Sequence, residues 1–114
     1  MAKSRMARAR WAEELVAAWY ERNGYTIVAR NWRCPRGELD IVAWRDGVLA
    51  ICEVKARRNE NFGYPFEAIT PRKLARIRRA AASFLSSHEQ SVKVVRFDVA
   101  AVLGTRLEVR CGVV

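Results

Sequence analysis

Apolar side chains at Trp11, Leu15 and Trp19, with Ala12 and Val16 beside them, recur at the 3.6-residue spacing of an amphipathic helix from about Ser4 to Asn23. Gly24 ends that helix. Tyr25 to Trp32, rich in β-branched and aromatic residues, reads as a first strand, closed by the turn segment Cys34-Pro35-Arg36-Gly37. Glu38 to Arg45 and Val48 to Ala56 are two further strand-like runs, separated by Asp46-Gly47. That dipeptide favours a two-residue type I′ hairpin, in which both central positions need positive φ. With Arg45 opposite Val48, the register places Asp40 directly opposite Glu53 and Glu38 opposite Lys55. Leu39, Ile41, Cys52 and Val54 fall on one face of this hairpin, and Val42, Trp44, Leu49 and Ile51 on the other. Strands apolar on both faces predict a sheet covered on both sides, as in α/β folds.

Arg57 to Ile69 is an irregular segment containing Gly63, Pro65 and the aromatics Phe62, Tyr64 and Phe66. Thr70-Pro71 then has the signature of a helix start, with Thr at the N-cap and Pro at the first helical position. Leu74, Ile77, Ala81, Phe84 and Leu85 form the apolar stripe of this second helix. Val92 to Leu103 alternates as a strand, Gly104-Thr105 turns, and Arg106 to Cys111 returns as a short last strand. A strand, a helix and a strand in succession predict a right-handed crossover between parallel neighbours.

The length of 114 residues suits one domain, residues 1–114, and the 51% hydrophobic content is enough to build a core. Charge narrows the choice of partner: 21 Lys and Arg against 12 Asp and Glu leave +9, distributed along the chain rather than in a tail. A polyanion is expected, with nucleic acid ahead of an anionic membrane. No apolar run approaches the length of a membrane span, and the start MAKSRMARARWAEEL lacks an apolar signal core, so the expected location is cytoplasmic. Cys34, Cys52 and Cys111 are widely spaced and His88 is the one histidine, which argues against structural zinc. The thiols read as small reduced hydrophobes, and His88 as a solvated loop residue.

Hydrolytic chemistry therefore falls to carboxylates, lysine and a hard metal ion. Facing Asp40 and Glu53 would repel by about 3 kcal/mol at roughly 5 Å and an effective dielectric of about 20. A divalent cation between them removes that cost, and Mg²⁺ is typically held by one or two carboxylates with waters and phosphate oxygens. The strand period of two puts Glu53 and Lys55 on one face, so metal and ammonium share a pocket. Phosphodiester hydrolysis uses this pairing: a metal to neutralise phosphate and generate the nucleophile, and a cation to orient it or offset developing charge.

Asp40, a spacer and Glu53-x-Lys55 resemble the signature of the PD-(D/E)xK nuclease superfamily, with Leu39 where that signature has proline. The chain is similar over nearly its whole length to the small bacterial YraN-like family of predicted endonucleases. The residues that carry this likeness are Glu13 with Ala17, Gly24-Tyr25, Arg30-Asn31, Gly37-Glu38-Leu39-Asp40, Glu53-Val54-Lys55-x-Arg57, Gly63, Lys73 and Arg96-Phe97-Asp98. The resemblance implies a restriction-endonuclease-like core, a central mixed sheet flanked by helices, with Asp40, Glu53 and Lys55 as the catalytic set. It adds Glu13 as a further metal ligand from the first helix, as in the related archaeal Holliday junction resolvases; the helical pattern alone does not separate Glu13 from Glu14. Glu38 reads either as a salt-bridging neighbour that orients Lys55, the favoured view, or as another ligand.

Cations on both helices supply phosphate contacts that read no bases. These are Arg5 and Arg8, with Lys3 and Arg10, on the first helix; Arg72, Lys73, Arg76 and Arg79, with Arg78, on the second; and Arg57, which opens the irregular segment after the third strand-like run. Phe62, Tyr64 and Phe66 would either stack on an unpaired base or anchor the loop. The expected function is an endonuclease dependent on Mg²⁺ or Mn²⁺, acting on DNA, branched or structured, in preference to RNA. The alternative is a non-catalytic nucleic-acid-binding adaptor of the same fold. Symmetric cleavage of two strands would require a homodimer, for which the aromatic loop and the apolar tail Val109 to Val114 offer an interface.

Overall fold

A computed structural model of the chain describes residues 5–58, 69–88 and 91–113. Helix α1 spans Arg5–Arg22, followed by strands β1 (Thr26–Cys34), β2 (Gly37–Arg45) and β3 (Val48–Arg57). Helix α2 (Pro71–Ser86) leads to β4 (Val94–Leu103) and β5 (Arg106–Arg110). The five strands form one mixed sheet in sequential order, antiparallel except for the parallel pair β3 and β4. The aromatic segment Phe62, Tyr64 and Phe66, together with Lys3 and Val114, lies outside the described residues.

Local chemistry accounts for the element boundaries. Gly24, at φ +85°, closes α1 as a Schellman cap: the Tyr25 N–H donates to Tyr20 O at 3.0 Å and the Gly24 N–H to Glu21 O at 3.1 Å. Thr70 caps α2 as expected, its hydroxyl accepting from the Lys73 N–H at 3.2 Å with Pro71 in the first turn. Asp46 and Gly47 adopt φ of +50° and +83°, both positive as a type I′ turn requires, and Arg45 pairs with Val48.

The two helices cover opposite faces of the sheet. Ala12, Val16, Ala17 and Tyr20 of α1 pack on Ile41, Ala43, Ala50, Cys52, Ala100 and Val102. Ile77, Ala80, Ala81 and Phe84 of α2 pack on Leu39, Val42, Leu49 and Ile51. The architecture is thus α/β, a five-stranded mixed sheet flanked by two helices and compatible with a restriction-endonuclease-like core. Among the described residues, no helix is long and apolar enough to cross a membrane.

Several expectations need correction. The centre of the α1 stripe is Ala12, Val16 and Tyr20, fully buried, while Trp11, Leu15 and Trp19 flank it half-buried. The phenol ring of Tyr20 makes it a core residue because Asp98 and the sheet supply a partner for its hydroxyl. Leu39 belongs to the α2 side, with Val42, and not to the side of Ile41 and Cys52. Two residues three apart cannot share a face of a regular strand, so the alternation is broken between them, at Asp40. Only Cys52 is a buried hydrophobe; Cys34 is half-buried and Cys111 exposed. His88 is also not simply solvated, since its ring stacks on Phe84 at 3.6 Å between centroids.

Candidate active site

The β2–β3 ladder follows the register set by the Asp46-Gly47 turn through Ile41 opposite Cys52, its last pair. Beyond it, a side chain replaces the backbone rung: the Val54 N–H donates to Asp40 Oδ2 at 2.9 Å. The strand ends there bound a cavity of about 360 Å³. Glu13 of α1, Glu38 and Asp40 of β2, and Glu53 and Lys55 of β3 all line it, with Arg8 and Arg57 on its walls.

Burial dominates the electrostatics of this site. It pushes the Asp40 carboxyl up to about 7 from an ordinary 3.8, and the nearby charge of Glu53 adds to the shift, partly opposed by the Val54 N–H. Glu53 is only 11% exposed and is held by two ammonium groups: Lys55 Nζ lies 3.3 Å and Lys73 Nζ 3.2 Å from the same oxygen, Oε1. The Lys55 ammonium is pushed below its ordinary range, first by burial and then by the neighbouring Lys73.

Glu13 is distinguished from Glu14 by its setting. Glu14 is exposed, whereas Glu13 is half-buried on the cavity wall and its Oε1 accepts from Asn31 Nδ2 at 2.9 Å. Asn31 has φ +51°, a left-handed conformation that asparagine adopts more readily than most residues. Asn31 and the Glu53 contact of Lys73 are the two parts of the site that sequence reasoning missed. An Arg30-Asn31 dipeptide inside an otherwise apolar and basic strand was the available signal for the first.

Glu38 does not pair with Lys55. Its carboxylate meets Arg33 at 3.4 Å, because no β2–β3 pairing continues to that level and the adjacent β1 does. Of the cations expected to contact phosphate, Arg8 and Arg57 line the cavity, while Arg72, Arg76 and Arg79 are exposed on α2. Lys73 turns instead to Glu53, and the side chain of Arg5 lies outside the described residues.

Whether this donor set suits a metal follows from its chemistry. Asp40 and Glu53 are hard oxygen donors whose proximity already penalises ionisation of Asp40, the condition that a divalent cation relieves. Mg²⁺ or Mn²⁺ needs no more than one or two such carboxylates, so the pair fits. Among the described residues, no three His, Cys, Asp or Glu side chains form a ready-made cluster, so Glu13 would not complete a three-carboxylate cage without movement.

Away from the cavity, Asp98 of β4 is buried in a closed network. It accepts from Tyr20 Oη at 2.6 Å, from Arg96 Nε and Nη2 at 2.8 and 2.9 Å, and from the Gly112 N–H at 3.0 Å. Arg96 also donates to Tyr25 Oη at 3.0 Å. Among the described residues, no buried side-chain nitrogen or oxygen is left without a partner. This network joins the C-terminal end of α1 to β4 and is structural.

The comparisons with known proteins agree over most of the chain. A UPF0102 protein of Acidothermus cellulolyticus is 49% identical over 113 residues, covering 90% of this chain and 85% of its own length. One of Beutenbergia cavernae is 52% identical over 97 residues, covering 84% and 81%, and one of Syntrophomonas wolfei is 41% identical over 93, covering 82% and 81%. The model of the family described as "Uncharacterised protein family UPF0102" matches residues 12–102, from the helix that bears Glu13 to the end of β4, and the chain belongs to that family.

Proposed function

We propose that the protein is a nucleic-acid phosphodiesterase dependent on Mg²⁺ or Mn²⁺, an endonuclease of the PD-(D/E)xK type that acts in the cytoplasm on DNA in preference to RNA. The observation that carries this reading is the pair of Asp40 and Glu53, both largely buried in a cavity that also holds an ammonium group. Like charges are rarely brought together out of water unless something of opposite charge is used there. Asp40 and Glu53 would hold the divalent cation, which when bound supplies Lewis acidity at the phosphate and a nucleophile at neutral pH. The Val54 N–H orients Asp40 for this, and Asn31 orients Glu13 toward the same cavity. Lys55, fixed against Glu53 on the cavity wall, donates to a non-bridging phosphate oxygen or to the attacking water and offsets charge as it develops. Arg8 and Arg57 on the walls and Arg72, Arg76 and Arg79 on α2 neutralise flanking phosphates.

A second reading, a non-catalytic adaptor that binds nucleic acid, is favoured by one observation: both Lys55 and Lys73 already neutralise Glu53. A cleavage assay over branched, nicked, single-stranded and duplex DNA and structured RNA, with Mg²⁺ or Mn²⁺, separates the two. Asp40→Asn and Glu53→Gln should each abolish cleavage while nucleic-acid binding persists. Full activity in both folded variants refutes the metal-site reading, and binding without cleavage by the unaltered protein on every substrate leaves the adaptor.

A further inference from the structure

Glu53 Oε1 accepts from two ammonium groups that differ in origin and setting. Lys55 stands two residues away on β3, lines the cavity and is 17% exposed. Lys73 reaches across from the first turn of α2, is absent from the cavity lining and is 33% exposed. A divalent cation bound at Asp40 and Glu53 would have to share one carboxylate with both ammonium groups, and like charges at such separations repel strongly. With both ammonium groups already on one oxygen, a third cation at this carboxylate is accommodated at least cost when one of them withdraws. Lys55 is rooted in the strand beside Glu53, and its retreat would strip the cavity of its own cation. Lys73 is the more solvated of the two and loses less on release to water.

We infer that Lys73 is an exchangeable counter-ion of Glu53, a positioning residue that holds the carboxylate in place and competes directly with the divalent cation for it. This inference rests on the metal-site reading above and adds a gate to it: the ion enters as the Lys73 ammonium leaves. The released side chain, on the same helix turn as exposed Arg72, then joins the cations available to phosphate. Metal and polyanion would thereby favour each other's binding reciprocally.

The test is Mn²⁺ titration by calorimetry, without nucleic acid, on the unaltered protein and on Lys73→Gln, Lys73→Arg and Arg22→Gln. Lys73→Gln leaves the α2 cap intact, since Thr70 binds the backbone N–H of residue 73 and not its side chain. Lys73→Gln should tighten Mn²⁺ binding by about five- to tenfold, the order expected for removing one charge at contact range in a partly solvated site. Lys73→Arg, which keeps the charge, should remain within about twofold of the unaltered protein. Arg22→Gln, an equal loss of charge at the exposed end of α1, should do the same. Unchanged or weaker binding in Lys73→Gln overturns the competition while leaving the metal site standing. An equal gain in Arg22→Gln overturns it too, by attributing the effect to net charge. Absence of Mn²⁺ binding in all four proteins overturns the metal-site reading and the inference together.

Discussion

Replacing Asp40 by Asn should make the protein more stable above about pH 4, with the gain growing toward neutrality and complete by pH 8. The carboxyl is raised from 3.8 to about 7, mainly by burial and then by Glu53. A raised carboxyl pKa means that the folded state resists ionisation. The penalty is absent below about pH 4, grows as pH rises toward 7, and is complete at pH 8. The full shift corresponds to about 4 kcal/mol. Asparagine keeps an amide oxygen for the Val54 N–H, but the bond loses its charge-assisted part, about 1 kcal/mol. Some of the remainder belongs to repulsion that Glu53 and its lysines can relax. A net gain of about 2 kcal/mol at pH 8 is expected, which for a domain of this size raises Tm by roughly 8 °C. Thermal unfolding followed by circular dichroism at pH 4, 6 and 8, with EDTA present, reads it directly. The gap should close at pH 4, where both side chains are neutral. Equal stability at pH 8, or a gap of the same size at pH 4, would refute the claim that Asp40 is held at an electrostatic cost.

Divalent ions should narrow that gap: Mg²⁺ at ten times its Kd should stabilise the unaltered protein by about 1.4 kcal/mol, and thermal shift should show little gain for Asp40→Asn or Glu53→Gln. Replacing Arg72, Arg76 and Arg79 together by Gln should weaken binding to all duplex sequences and lower the salt slope by up to about 0.9 for each phosphate no longer neutralised; fluorescence anisotropy across a salt series measures it. Asp98→Ala should cost about 3 kcal/mol in urea unfolding, because it strands the buried Tyr20 hydroxyl and the half-buried Arg96 guanidinium that the carboxylate now satisfies.

How far the site was legible from sequence can be argued residue by residue. Asp46-Gly47 constrains its own φ values, so the register that brings Asp40 toward Glu53 could be worked out from two residues. What a register cannot express is where a ladder stops. The end of pairing at Ile41 and Cys52 lets Asp40 take the Val54 N–H, moves Leu39 to the α2 side and leaves Glu38 to Arg33. The N-cap of α2 was readable because Thr-Pro acts within one turn. Lys73, three residues further on, was not readable as a partner of Glu53, because its contact depends on how α2 crosses the sheet. Tyr20 was missed for a similar reason: its partner Asp98 is 78 residues away, and a phenol enters a core only when such an acceptor waits there.

The parallel pairing of β3 with β4 also bears on the order in which the molecule assembles. β1, β2 and β3 form a meander joined by the two-residue turns Pro35-Arg36 and Asp46-Gly47, whose contacts are short in sequence. Pairing β3 with β4 requires closure of everything between Arg57 and Val94, including α2. Contacts of low sequence separation form first, because they carry the smaller loop-closure entropy. Asp40, Glu53 and Lys55 therefore come together on the fast, local half of the folding reaction. Lys73 and the basic face of α2 reach them only with the slower long-range closure, so Glu53 meets the ammonium of its own strand before that of the helix.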